Sequence, residues 1–247
     1  MKYFFIALLI SCSCLLTGFQ NNEKLKFKIK YGMISAGYAS MTIDTLVFRD
    51  SVDCYKISAK AETNGFFDKI FKVRDNITSI WDKEKKVSRQ FSKKLREGSY
   101  RQKRDQYFYP EQNFSLYLKW DMKKHKMKEK KLEIIDNTQD ILSAFYWTRQ
   151  QELKVGESKF INVSADGKNY KAEVKVHRKE TLDTIFGTKE CFLIEPVLVG
   201  DAIFKQTGNI YIWITDDDLK VPVLMESEVV FGSFKAVLEE ADNVSFE

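Results

Sequence analysis

Residues suited to proton transfer or metal binding are scarce in this chain, which holds two histidines, His125 and His177, among 247 residues. Neither stands in an HExxH, GxSxG or Cys-x-x-Cys setting, so the short motifs of zinc hydrolysis, serine hydrolysis and dithiol redox chemistry are missing. His125 lies among Lys123, Lys124, Lys126 and Lys128, whose charge opposes its protonation and repels a cation. His177 follows a run with Val174 and Val176 on its apolar face, which places it on the polar face. Asp216, Asp217 and Asp218 could offer oxygens to a hard cation, but the spacing is not that of an EF-hand, and a solvated turn is expected. Gly32 and Gly37 flank Met33-Ile34-Ser35-Ala36 without the GxxxxGK[ST] of a phosphate loop. A bulge or tight turn is the expectation there. No catalytic residue, metal ligand or cofactor site is assigned.

Charge points instead to a surface. Between residues 83 and 131, 17 Lys and Arg face 6 Asp and Glu, a local net of +11 in a chain of net +5, so the remainder carries −6. Lysines on the outer face of neighbouring strands would present a positive field to anionic groups. Lys123, Lys124, Lys126 and Lys128 are the candidate anion-binding residues, with an envelope lipid, an anionic glycan or another envelope protein as partner and peripheral membrane contact as the setting. Such binding decays within roughly 8 Å at physiological salt. Tyr100, Tyr107, Phe108, Tyr109, Phe114, Tyr117 and Trp120 interleave with these cations, yet aromatics at period two read as sheet core, and nucleic acid is not expected.

The N-terminus reads as an export signal: Lys2, an apolar run from Tyr3 to Leu16, then Thr17-Gly18 and polar Gln20-Asn21-Asn22-Glu23. Residues 1–20 are assigned as the signal peptide and 21–247 as one domain, located in the periplasm or envelope. Leu9-Ile10-Ser11-Cys12 also resembles a lipoprotein box with lipidation at Cys12, and an uncleaved anchor is a third reading. Cys54 and Cys191 remain in the body of the chain. They read as small buried hydrophobes, with a disulfide as the alternative that an oxidising compartment permits.

The elements that must position these residues have a period of mostly two. Leu25, Phe27, Ile29 and Tyr31 alternate with charged residues, as do Tyr55 to Ala61, Phe71 to Ile77 and Tyr170 to Val176. Ile210, Ile212 and Ile214 interleave with Tyr211 and Trp213, which predicts a strand buried on both faces. Glu97-Gly98, Asp166-Gly167, Gly208-Asn209, residues 216–218 and Gly232-Ser233 are turn signals. One segment, from Asp140 to Gln150, has helical spacing and a polar Asn137-Thr138 start; a short helical turn is expected around Gly65 to Ile70. Asp75 is expected to pair with Arg74 and with Arg149 of the helix. The fold class is mainly β: a large curved antiparallel sheet or partly open barrel with one short amphipathic helix.

Tyr31-Gly32-Met33-Ile34-Ser35-Ala36-Gly37-Tyr38-Ala39, then Lys72-Val73-Arg74-Asp75, Tyr146-Trp147-Thr148-Arg149, and Trp213-Ile214-Thr215-Asp216-Asp217 leading to Val221-Pro222-Val223 form an ordered set. With that order and spacing the chain resembles the exported bacterial family catalogued as domain of unknown function 3108. The resemblance implies an envelope-located antiparallel β protein and carries no activity or functional residue. Three functional readings follow. The first is a non-catalytic binding or interaction scaffold. The second is a carrier of a lipid or other apolar ligand in a β-sheet cavity, with the helix as its cover. The third is a carboxylate-dependent glycan-active enzyme, for which two acids would have to face each other across a groove.

Overall fold

The computed structural model describes residues 18–49, 51–121, 124–199 and 208–246. Eight strands run in a meander: β1 (Lys24–Tyr31), β2 (Ile34–Phe48), β3 (Val52–Thr63), β4 (Arg74–Asp82), β5 (Ser88–Glu97), β6 (Tyr100–Tyr109), β7 (Phe114–Asp121) and β8 (Lys126–Glu133). The helix α1 (Ile141–Arg149) follows, and six more strands complete the chain: β9 (Ser158–Ala165), β10 (Lys168–Thr184), β11 (Gly187–Val199), β12 (Ile210–Thr215), β13 (Pro222–Glu228) and β14 (Ser233–Asp242). All fourteen form one antiparallel sheet in the order β8-β7-β6-β5-β4-β3-β2-β1-β14-β13-β12-β11-β10-β9. The two meanders are joined by the β1–β14 ladder, and α1 connects the two edge strands.

The sheet does not close on itself, because β8 and β9 share no ladder. Side chains and the chain before α1 span the space between the two arms. Gln106 of β6 donates to Ser115 and to Ser164 of β9, at 2.8 and 2.7 Å. Asp166, in the β9–β10 turn, takes ion pairs from Lys93 and Arg104. Ser88 N donates to Thr138 O, and Gln139 N donates to Asn162 O.

The helix is the hub of the interior. Leu142 reaches the small cluster of Phe91, Phe108 and Ile134; Ala144 and Trp147 pack on Ile161 and Val163; Phe145 meets Leu153, Val174 and Ile194. Tyr146 is fully buried in the main cluster with Phe19, Trp81 and Trp213. A helix apolar on nearly every side is one enclosed by its neighbours. Its start is two residues later than the Asn137-Thr138 signal suggests. Asp140 is the N-cap, accepting the Leu142 and Ser143 N–H groups, while Ser143 Oγ accepts the Asp140 N–H. Ser79 and Ser88 donate to the same carboxylate at 2.5 and 2.8 Å, tying the cap to β4 and β5. Burial pushes the Asp140 carboxyl up against these hydrogen bonds.

Arg149 does not meet Asp75. Its guanidinium makes two 2.7 Å bonds to the Glu23 carboxylate and donates to Leu219 O, with both charged side chains essentially unexposed. Arg74 instead pairs with Asp68 at 2.6 Å. The Arg149 cation lies over the rings of Phe19 and Tyr146. Phe19 is 4% exposed and contacts Tyr55 and Tyr146 edge-on, while Gly18 donates its N–H to Asp218 O. Gly18 and Phe19, within the segment 1–20 read from the sequence as signal peptide, thus contact the sheet domain.

The alternation expected from Phe71 to Ile77 begins only at Arg74, because Phe71 lies exposed in the connection before β4; the glycine, strand and short-turn expectations are met for physical reasons. Gly32, at φ +57°, turns the chain between β1 and β2. A Cβ on Gly37 would stand 2.0 Å from Glu62 O, so only glycine lets β2 and β3 pair there. Residues 212–215 are buried as a strand covered on both faces requires, and a short 3-10 turn occupies Phe67–Lys69. Cys54 and Cys191 are both buried with free thiols, and burial pushes each thiol up to about 11.

Candidate functional site: a cationic groove at one end of the sheet

Near one end of β5 and β6 the hairpin register sets like charges opposite each other: Lys94 faces Lys103, and Arg96 faces Arg101. Like charges directly opposite repel each other and are destabilising, so an anion held between them relieves that repulsion. All four side chains are exposed, and none forms an ion pair among the described residues. The β6–β7 ladder stops at Arg104–Lys119, whereas β7 stays paired with β8 as far as Asp121–Lys126. The two hairpins part beyond that point. A groove of ≈ 510 Å³ opens there, lined by the four cations together with Trp120 and Met127.

Alternation along the strands puts Trp120 and Met127 opposite each other on one face. Their apolar surface can take the stem of an amphiphile while the cations take its charged head. Asp105 and Glu129 lie on the same face outside the groove lining, and Asp105 is bonded by Ser92 at 2.8 Å. Near the Gly98 turn, Asp75 Oδ1 accepts the Arg96 N–H. Burial and the adjacent Asp75 charge raise the Glu97 carboxyl, which hydrogen-bonds Asp75. These acids are engaged with each other and with the backbone.

The lysine run singled out in the sequence does not build this groove. Lys126 and Lys128 pair with Asp121 and Lys119, one residue out of step with Met127, so period-two geometry turns them to the other face. Lys128 forms an ion pair with Asp121 at 3.1 Å. Lys124 is exposed in the β7–β8 turn beside His125, and Lys123 lies outside the described residues, as does Cys12. What the sequence reading missed is the cross-strand pairing. Two Lys/Arg doublets on either side of Glu97-Gly98 signal it, once the turn is taken as the centre of the register.

A second groove, of ≈ 420 Å³, runs beside His177, Tyr211, Trp213, Glu226 and Glu228. Its polar groups are engaged with one another: His177 Nε2 with Glu195 at 2.8 Å, Trp213 Nε1 with Glu180 at 2.5 Å, and Arg178 with Glu180. The 216–218 turn is held by Asp217 Oδ1, which accepts from Thr215 Oγ1, Leu219 N and Lys220 N. That is an Asx-type turn. Among the described residues no group of three or more His, Cys, Asp or Glu side chains is placed to hold a metal ion, and no helix is long and apolar enough to cross a membrane.

The family described as "Protein of unknown function (DUF3108)" matches residues 26–239, from β1 to β14. The chain belongs to the DUF3108 family. This DUF3108 domain is similar in fold to a solved beta-barrel-like protein of domain of unknown function DUF1849 from Brucella abortus. The TM-score is 0.57 at 11% identity, over 92% of this chain and 99% of that one. No curated protein matches the sequence. The likeness extends to the whole sheet and carries the architecture alone.

Proposed function

We propose that this DUF3108 domain is an exported, envelope-located, non-catalytic binding protein that holds an anionic group of a lipid or glycan in the β5–β8 groove. The observation that carries the reading is the groove itself, where four exposed cations in opposed pairs border Trp120 and Met127. Its lining offers charge recognition and apolar contact, and it offers neither a carboxylate pair nor an activated nucleophile. The export signal read at residues 1–20 supports the location. An interior occupied by Phe19, Trp81, Tyr146 and Arg149 favours the scaffold over the carrier, since those side chains fill the space a ligand would need.

The test is calorimetric titration with glycerol phosphate, a soluble headgroup fragment, at low and physiological salt. Saturable binding that weakens with salt, and that is lost in Arg96→Glu/Arg101→Glu, is expected. Binding unchanged in that variant would overturn the proposal.

A further inference from the structure

The groove opens beside a row of exposed apolar side chains at the same end of the sheet. Four connections meet there: β13–β14, β1–β2, β3–β4 and β5–β6. Lateral contacts join them in that order. Tyr31 OH donates to Phe231 O at 2.5 Å, and its ring lies 5.0 Å from that of Phe234. Asn64 Nδ2 donates to Ser35 O and Asn64 N to Ala36 O. Gly98 N donates to Lys72 O, and the Phe71 ring lies directly against Gly98.

Each tip directs large apolar residues into solvent: Met33 is 100% exposed, Phe231 80%, Val230 75%, Ile70 68% and Phe66 63%, with Tyr100 half exposed beside them. Single exposed apolar residues need no explanation, but a contiguous row on adjoining tips marks an interaction surface. At the other end, residues 83–86, Pro110–Gln112 and residues 216–218 form turns that are largely charged or polar, and the β10–β11 turn adds one exposed apolar side chain, Ile185.

We propose that this end docks on an anionic phospholipid bilayer, with the hairpin tips entering the interface and the groove cations meeting headgroup phosphates. The proposal rests on the anionic-group reading for its ligand and names the lipid surface as its source. Charge complementarity selects this occupant over a neutral apolar partner. Lys94, Arg96, Arg101 and Lys103 stand behind the tips, and Lys69 and Lys72 stand among them. Among the described residues at this end, Asp68 pairs with Arg74, Glu226 pairs with Lys235, and Glu228 accepts the Asn209 N–H. Apolar insertion and cationic attraction then act on one plane, the combination that gives an interfacial protein its affinity.

The experiment is flotation of the mature protein with phosphatidylcholine vesicles, with and without phosphatidylglycerol, for wild type, Met33→Ser/Phe231→Ser and Arg96→Glu/Arg101→Glu. Wild type should float with the anionic vesicles only. The tip variant, which removes no buried contact and should melt as wild type does, should bind roughly tenfold or more weakly. Phe231→Trp should show a blue-shifted emission on the same vesicles. Wild type that fails to float while still binding glycerol phosphate would overturn the docking proposal and leave the groove reading standing. Flotation that survives the groove reversal but not the tip substitutions would leave insertion standing and remove the groove from it. Self-association through the tips in sedimentation, without flotation, would assign the rim to a second copy and overturn the proposal.

Discussion

Removing the Glu23 carboxylate tests how the interior is held together. Glu23 precedes β1, Arg149 ends α1, and Leu219 lies between β12 and β13, so one guanidinium joins three distant parts of the chain. Glu23→Ala would leave a fully buried cation without its counter-ion. Breaking a buried pair from one side costs about 3–5 kcal/mol, and neither side chain is exposed enough for solvent to reduce that. In a domain of this size each kcal/mol moves Tm by about 2–4 °C, so a fall of roughly 6–20 °C is expected in calorimetry. Glu23→Leu combined with Arg149→Met should recover part of the loss. No unpaired charge then remains, although Leu219 O loses its donors at a cost of about 1–3 kcal/mol. A Glu23→Ala protein within about 1 kcal/mol of wild type would show that the buried pair does not hold the interior together, as would a double variant no more stable than the single one.

Three further outcomes follow from the same structure. A chain starting at Asn21 lacks Phe19 and should lose about 3–5 kcal/mol, as for other large core truncations; urea unfolding of 18–247 against 21–247 checks this, and equal midpoints would contradict it. Cys54 and Cys191 should resist thiol reagents in the native state at neutral pH and both react after unfolding, whereas no thiol released on denaturation would indicate a disulfide. Hydrogen bonds from Arg89 and Lys85 hold the Glu111 carboxyl down to about 2. Its contribution is therefore complete above the ordinary carboxylate range and is lost as pH falls from about 4.5 towards 2. Because Glu111 is half exposed, it is worth at most about 1 kcal/mol, so Glu111→Gln should be slightly destabilised at pH 6 and match wild type near pH 2 in urea titrations.

Much of the architecture is legible in the sequence because a strand with one wet face must alternate. Leu25 and Phe27, Ile57, and Val174 and Val176 are all core residues at period two. The helix is legible for the converse reason, and Gly37 for its missing Cβ. What could not be read locally is whatever depends on which strands become neighbours. Arg149 is drawn to Glu23 across 126 positions in the chain, and nothing near Arg149 distinguishes Glu23 from the nearer Asp75. The densest lysine run drew attention to residues 123–128, but charge density along the chain is not charge density on a face. Alternation turns Lys126 and Lys128 away from Met127, and the opposed pairs arise only once the Glu97–Tyr100 turn fixes the register.

Whether the β5–β8 groove receives an anionic group is decided by NMR titration of the isotopically labelled domain with glycerol phosphate. Saturable shifts confined to the amides of residues 94–103 and the indole of Trp120 are expected. Shifts that rise without saturation over the whole basic surface, or that gather around Lys124, Lys126 and Lys128 instead, would contradict binding in the groove.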